Sequence, residues 1–271
     1  MKRIVTITLM LLLASSAFAQ QNWATFKKDS EGLYLYVADE QVSNFSFMLS
    51  SRSYIDYVKQ ESDSNFYYPL KAIWVKDRGS FYVLQPLPQQ TDSIRRSTLT
   101  SIQLLKNFYG DVQIDWLKFL FRSPLTDMAD NLNAVFLNDT VSVTVRYPDE
   151  ETVNYERRTF TAGGQLGRII LDMKGMRAIT TPYYQEVNNK WICIGWMSQV
   201  YREGEVTSGM QVSVQYSKSE EKIVPETVVT TIQNISDPGA SSSITLYLKD
   251  FAFNEPFEVL DSNEKETPVA N

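Results

Sequence analysis

The side chains that could do chemistry in this chain are few. It has one cysteine, Cys193, and no histidine among 271 residues. Without histidine, serine–histidine and cysteine–histidine catalysis and the common histidine zinc sites are excluded. The sequence holds no GxSxG, HExxH, P-loop or paired CxxC arrangement. Carboxylate chemistry stays open, and Asp149, Glu150 and Glu151 stand together. They fall between two alternating segments, where a solvated acidic turn is the ordinary reading. The stretch around Cys193 is apolar on both faces, which predicts a buried thiol acting as a small hydrophobe. The residue inventory points away from an enzyme, and no metal or cofactor is expected.

The N-terminus predicts where the protein works. Met1-Lys2-Arg3 is basic, Ile4 to Leu13 is apolar apart from Thr6 and Thr8, and Ala17-Phe18-Ala19 suits a signal peptidase. Residues 1–19 therefore read as a secretory signal peptide cut before Gln20. The apolar run is short of the about 20 residues that span a bilayer. No cysteine follows the cut, so an exported, periplasmic, unanchored and soluble chain is expected. Cleavage removes two of 26 basic residues and none of 32 acidic ones, taking the net charge from -6 to -8. Such a surface argues against nucleic acid as a partner. A composition 43% hydrophobic and 21% charged is that of a globular protein. With one cysteine there is no internal disulfide, so stability must come from the core.

The elements that must position any site follow from periodicity. A short helix is expected early in residues 20–41. Phe45, Phe47 and Leu49 alternate with Ser46 and Met48 as a half-buried strand does. Lys71–Lys76 and Ser80–Gln85 flank Asp77-Arg78-Gly79, a hairpin turn. The period then becomes helical: Ile94, Thr98, Ile102, Leu105 and Phe108 share a face, with Gly110 as a stop. Ile114, Leu117, Leu120 and Phe121 predict a second short helix. Ser123-Pro124 predicts the start of a third, with Leu125, Met128, Leu132 and Val135 on its apolar face. From Val141 alternation returns and lasts to Phe253, with turns at Pro148–Glu151, Gly163-Gly164 and Glu203-Gly204.

Strands and turns at this spacing predict an α+β chain, mainly antiparallel β. Residues 20–253 read as a single β-rich domain with a helical insertion at about 92–137, followed by a polar tail, 254–271. One-faced apolar strands need a cover. A closed barrel or a sandwich would supply one; the helical block favours a curved sheet under helices. A helical block and a polar ending do not fit an outer-membrane barrel.

The closing residues carry a resemblance. Val224-Pro225-Glu226-Thr227-Val228 precedes a polar loop. Ile244 to Asn254 follows, and then Pro256-Phe257. Across 139–257 this resembles the LolA-like periplasmic carriers of outer-membrane lipoproteins. The resemblance implies an incomplete β-barrel with a helical lid. It also implies acyl chains of lipoproteins or other lipids as cargo, moved toward the outer membrane, with inner- and outer-membrane delivery proteins as partners. A non-transporting envelope binding or interaction module on the same fold is the alternative. The apolar residues expected to line a cavity are Phe45, Phe47, Trp74, Phe81, Phe119, Met128, Val143, Leu171, Trp191, Trp196, Met210, Val212 and Leu246. Taken singly, each reads first as ordinary core; the cavity expectation concerns the set.

Overall fold

The computed structural model describes residues 22–61, 65–147, 152–235, 239 and 241–256. The predicted signal peptide, the acidic turn Asp149–Glu151 and the tail from Phe257 lie outside the described residues. Twelve strands form one open antiparallel sheet in the order β3-β2-β1-β12-β11-β10-β9-β8-β7-β6-β5-β4. They are β1 Asn44–Ser51, β2 Leu70–Val75, β3 Gly79–Leu84, β4 Ala134–Phe136, β5 Thr140–Arg146 and β6 Val153–Thr161. The rest are β7 Leu166–Met173, β8 Met176–Val187, β9 Lys190–Arg202, β10 Glu205–Ser219, β11 Lys222–Asn234 and β12 Ser242–Phe253. The helices among the described residues are α1 Trp23–Glu31, α2 Arg52–Glu61 and α3 Asp92–Trp116, the last extended by a π turn, Leu117–Phe121.

From β4 to β12 each strand pairs with the next, as tight turns require. Asn188 and Asn189 both have positive φ (53° and 59°), as do Glu203 and Gly204 (51° and 88°). That geometry matches the right-handed twist of two paired strands. The two β-rich parts of the sequence join where β12 lies against β1, with Phe45 opposite Phe253 and Leu49 opposite Leu248. Asn254 locks this seam. Its backbone N–H donates to the Asn44 carbonyl at 2.9 Å. Its side-chain oxygen accepts from the Ser43 N–H at 2.8 Å, and its amide donates to the Gln41 carbonyl at 3.0 Å. Asn254 has φ 53°, a left-handed conformation that asparagine tolerates.

One face of the sheet carries the core. Phe45, Phe47 and Leu49 of β1 are buried with Leu70, Ala72 and Trp74 of β2 and Leu246 and Leu248 of β12. Aromatic rings dominate here: Phe45 stacks on Trp74 at 5.3 Å and meets Phe121 edge-on at 5.0 Å. α3 buries Thr98, Ile102, Leu105, Tyr109, Val112 and Trp116. Leu120 is buried as well, and Leu117 and Leu132 pack partly buried against the same core. α1 is capped by Asn22, whose side chain accepts from the Thr25 N–H at 2.9 Å. Its Phe26 packs edge-on against Phe160 of β6 at 5.9 Å.

The helical block differs from the expected three helices. α3 runs through Gly110, because Tyr109, Val112 and Trp116 continue its buried stripe. The second helix is the π turn that prolongs α3. The third does not form. Ser123 Oγ accepts from the Leu125 N–H at 3.2 Å, as a cap would. However, the Pro124 carbonyl, which a helix would use four residues on, accepts from the Arg158 guanidinium instead. Turns follow, and residues 134–136 become the edge strand β4. β8 is a strand absent from the sequence reading. Pro225 lies inside β11, at the register shift between Gln215 and Tyr216 of β10. A bulge is where a sheet accepts a residue without an N–H.

Candidate functional site

Cross-strand register sorts the helix-covered face into rows. In the first row Pro182 of β8 pairs with Trp196 of β9, Trp196 with Val212 of β10, and Val212 with Thr230 of β11. All four are buried. Phe119 of the π turn covers the row, its ring 4.9 Å from that of Trp196. Gly195 lets β10 come close there, since a Cβ at Gly195 would overlap the Val212 carbonyl.

Two residues further along the strands lies the second row. Ile232, Met210, Ser198, Thr180 and Ile169 pair in turn across β11, β10, β9, β8 and β7. Beyond it, Leu171, Ala178, Val200 and Ser208 make a third row. Side chains two apart on a strand share a face, so the three rows belong to one surface. Cover falls away along it. Ser198, Thr180, Met210, Leu171, Ala178 and Val200 are half-buried, and Ile232 is 40% exposed. The strip is apolar with a few hydroxyls. Thr180 and Ser198 satisfy each other at 2.8 Å.

An ion cluster walls this strip on the β6 side. Glu156 pairs across from Leu171, and Arg158 from Ile169. Both are buried, and Arg158 Nε donates to Glu156 at 2.6 Å. Arg158 also binds Asp127 through two hydrogen bonds, at 2.7 and 2.8 Å. Lys118 of the π turn reaches Glu156 at 3.3 Å. The cluster thus ties the loop after α3 to the sheet. Burial works against the Asp127 carboxylate, but the hydrogen bonds and charge of Arg158 outweigh it and hold its pKa below the ordinary value. Burial raises the pKa of Asp115, Lys118 opposes the rise, and Glu156 adds to it. Structural ion-pair networks shift pKa values as catalytic groups do, so these shifts alone do not make the cluster catalytic. Among the described residues no group of three or more His, Cys, Asp or Glu could hold a metal ion.

The thirteen expected residues fall in several places. Phe45, Phe47, Trp74, Phe119, Met128, Val143, Trp196, Val212 and Leu246 are buried members of one core. Trp191 and Met210 pack partly buried against it. Trp191 meets Tyr34 edge-on at 5.5 Å, at the other end of the sheet from the strip. Leu171 and Met210 are the two that stand in the half-buried rows. Phe81 is on the opposite face: it pairs with Ile73, while its neighbour Ser80 pairs with Trp74. It is 40% exposed on the edge strand β3.

Leu246 also lines an apolar notch of about 190 Å³ between α2, α3 and β12, with Tyr54, Leu104, Leu105, Phe108 and Ile244. Ligand pockets run from about 300 to 1,000 Å³, so this notch is small for a whole lipid. Cys193 is free and buried, and burial pushes its thiol pKa up to about 12. The Tyr216 hydroxyl donates to the Cys193 carbonyl at 2.5 Å.

Sequence reasoning missed the ion cluster. The signal was present, since Glu156, Arg158 and Phe160 alternate on β6 and the aromatic ring marks their face as inward. It missed Thr180 and Ala178 because β8 went unread, although Gly175 and Asn188-Asn189 bracket it. No protein-family model, curated protein or solved structure matches this chain. Among the described residues no helix is long and apolar enough to cross a membrane.

Proposed function

We propose that the protein is an exported carrier that holds acyl chains of lipoproteins or other lipids on its helix-covered face and moves them toward the outer membrane. The observation that carries this reading is the loss of cover along one apolar surface, from the buried row at Trp196 to the half-buried rows at Met210 and Leu171. Each methylene removed from water contributes about 0.8 kcal/mol, so a long acyl chain in water costs on the order of 10 kcal/mol. A strip of apolar side chains beside a firm core can shield such a chain and still release it. The sparse hydroxyls give few polar hooks, which suits delivery better than storage. The LolA-like closing residues support the same reading, with Asn254 serving as the lock of the seam.

Binding driven by apolar burial depends weakly on salt and has a negative heat-capacity change. Calorimetric titration with a fatty acid and with a diacylated lipopeptide, at two temperatures and two salt concentrations, tests it. Saturable binding that Met210→Asp removes is expected. The absence of saturable binding would refute the carrier reading. One observation favours a second reading, an envelope interaction module that transports nothing. Nine of the thirteen residues expected to line a cavity are packed core. That module becomes the reading if neither ligand binds.

A further inference from the structure

β4 and β5 part company at one end of the sheet. Their ladder comprises three pairs, Phe136–Val141, Val135–Ser142 and Ala134–Val143, and it stops there. β5 itself continues through Thr144 and Val145 to Arg146, still paired on its other side with β6. The chain before β4, Asn131-Leu132-Asn133, does not follow it. The two segments become opposite walls of a wedge of about 750 Å³.

Backbone direction makes this wedge an open strand edge. The Leu137 N–H donates to the Thr140 carbonyl at 2.8 Å, so Thr140 faces β4. Backbone groups in an antiparallel strand alternate sides. Ser142, Thr144 and Arg146 therefore face the same way as Thr140. Ser142 meets Val135 there, and Thr144 and Arg146 turn their N–H and carbonyl groups into the wedge.

Charge sets the kind of occupant. Among the described residues, Arg146 and Arg157 line the wedge and no carboxylate does. Register places them as diagonal neighbours on one face, Arg157 opposite Thr144 and Arg146 opposite Tyr155. Arg157 is held toward the wedge by donating to Thr144 Oγ1 at 3.2 Å and lying over the Tyr155 ring at 5.5 Å. Both arginines are exposed. Among the described lining residues the charge is therefore positive, in a chain of net charge -6. Val135 and Leu137, 60% and 62% exposed, add apolar contact at the floor.

The geometry points to a docking site for an extended acidic segment of a partner protein, which adds as a strand along Thr144–Arg146 and sets its carboxylates against Arg146 and Arg157. Main-chain bonds hold the segment and side-chain charge selects it. The site is separate from the apolar strip and does not depend on the carrier reading.

The test is an array of immobilised heptapeptides in which Glu or Asp alternates with Val, Thr or Tyr, beside the same peptides with Gln or Asn. The labelled full-length protein should be retained at least tenfold more by the acidic set, and less as salt rises. Arg146→Gln with Arg157→Gln should remove that preference. Thr144→Pro deletes one donor facing the wedge and none facing β6, so it should abolish retention while far-UV circular dichroism stays unchanged; Thr144→Val, which removes only the hydroxyl that accepts from Arg157, should keep most of it. Should that variant misfold, Val135→Pro provides the second edge probe, since it loosens β4 and should alter retention without touching either arginine. Equal retention of acidic and amide peptides overturns the proposal. So does full retention by a folded Thr144→Pro protein, which would mean attraction of anions without strand addition. Sedimentation showing that a second copy fills the wedge, with self-association lost in Thr144→Pro, overturns the partner assignment.

Discussion

The row through Trp196 and the row through Met210 lie on the same strands and the same face, two residues apart. The first is sealed, with Trp196 fully buried and the Phe119 ring tilted over it. The second is half-open. Strand alternation treats the two rows alike, so the difference comes from where the helical cover ends. The π turn reaches the first row. On the β6 side of the second row, Arg158 holds the loop after α3 by Asp127 and the Pro124 carbonyl, and Ile169 there is buried. A sheet face can therefore be core at one end and a candidate binding surface at the other without any change in residue type.

The largest expected effect is at the sealed row. Trp196→Ala should cost about 3–5 kcal/mol, the usual range for a large aromatic removed from a packed core. Met210→Ala should cost about 1 kcal/mol, near the average for a point substitution. Urea unfolding of both variants checks the contrast, and equal costs would abolish the distinction between the rows. Arg158→Ala should approach the Trp196 figure, because it leaves buried Glu156 with Lys118 as its remaining ion-pair partner and strips Asp127 of its guanidinium; breaking a buried ion pair is worth about 3–5 kcal/mol. It should also loosen the loop over the second row, which hydrogen exchange in residues 122–130 would report.

Next in size is the acid response of that wall. The folded pKa of Asp127 lies below its ordinary value. Its contribution is therefore present above about pH 4, the unfolded carboxylate range, and is lost as pH falls through the folded pKa. Asp115 has the opposite sign: its raised pKa favours the folded state as pH falls. Asp127→Asn should flatten the loss of stability below about pH 4, and Asp115→Asn should steepen it. Thermal melts from pH 2.5 to pH 6 on the three proteins separate these. An unchanged acid limb in Asp127→Asn would remove the carboxylate from the account.

The smallest effect is at Cys193. With burial pushing its thiol pKa up to about 12 and its side chain buried, native protein should react with a thiol reagent far more slowly than protein in denaturant. Rapid native labelling would mean that this end of the sheet opens as readily as the second row.

Local signals in the sequence determined much of this architecture. Alternation of Phe45, Phe47 and Leu49, or of Met210, Val212 and Val214, is a property of a few neighbouring residues. Asp77-Arg78-Gly79 and Glu203-Gly204 are turns because of backbone conformations those residues favour. The buried thiol followed from apolar neighbours, and the helical stripe from Thr98 to Leu105 from 3.6-residue spacing. The rest was decided by partners distant in the chain. Nothing near Phe45 says that Phe253 will lie opposite it, and nothing near Pro124 says that Arg158 will take its carbonyl and end a capped helix before it starts. Phe81 reads as apolar and strand-like, yet its face depends on pairing with Ile73. Which rows are sealed depends on how far the π turn reaches across the sheet. Short-range periodicity encodes the elements and their apolar faces, because steric and hydrophobic preferences act residue by residue. Register, cover and the choice between core and site arise only when distant segments compete for the same surface and the same hydrogen-bond partners.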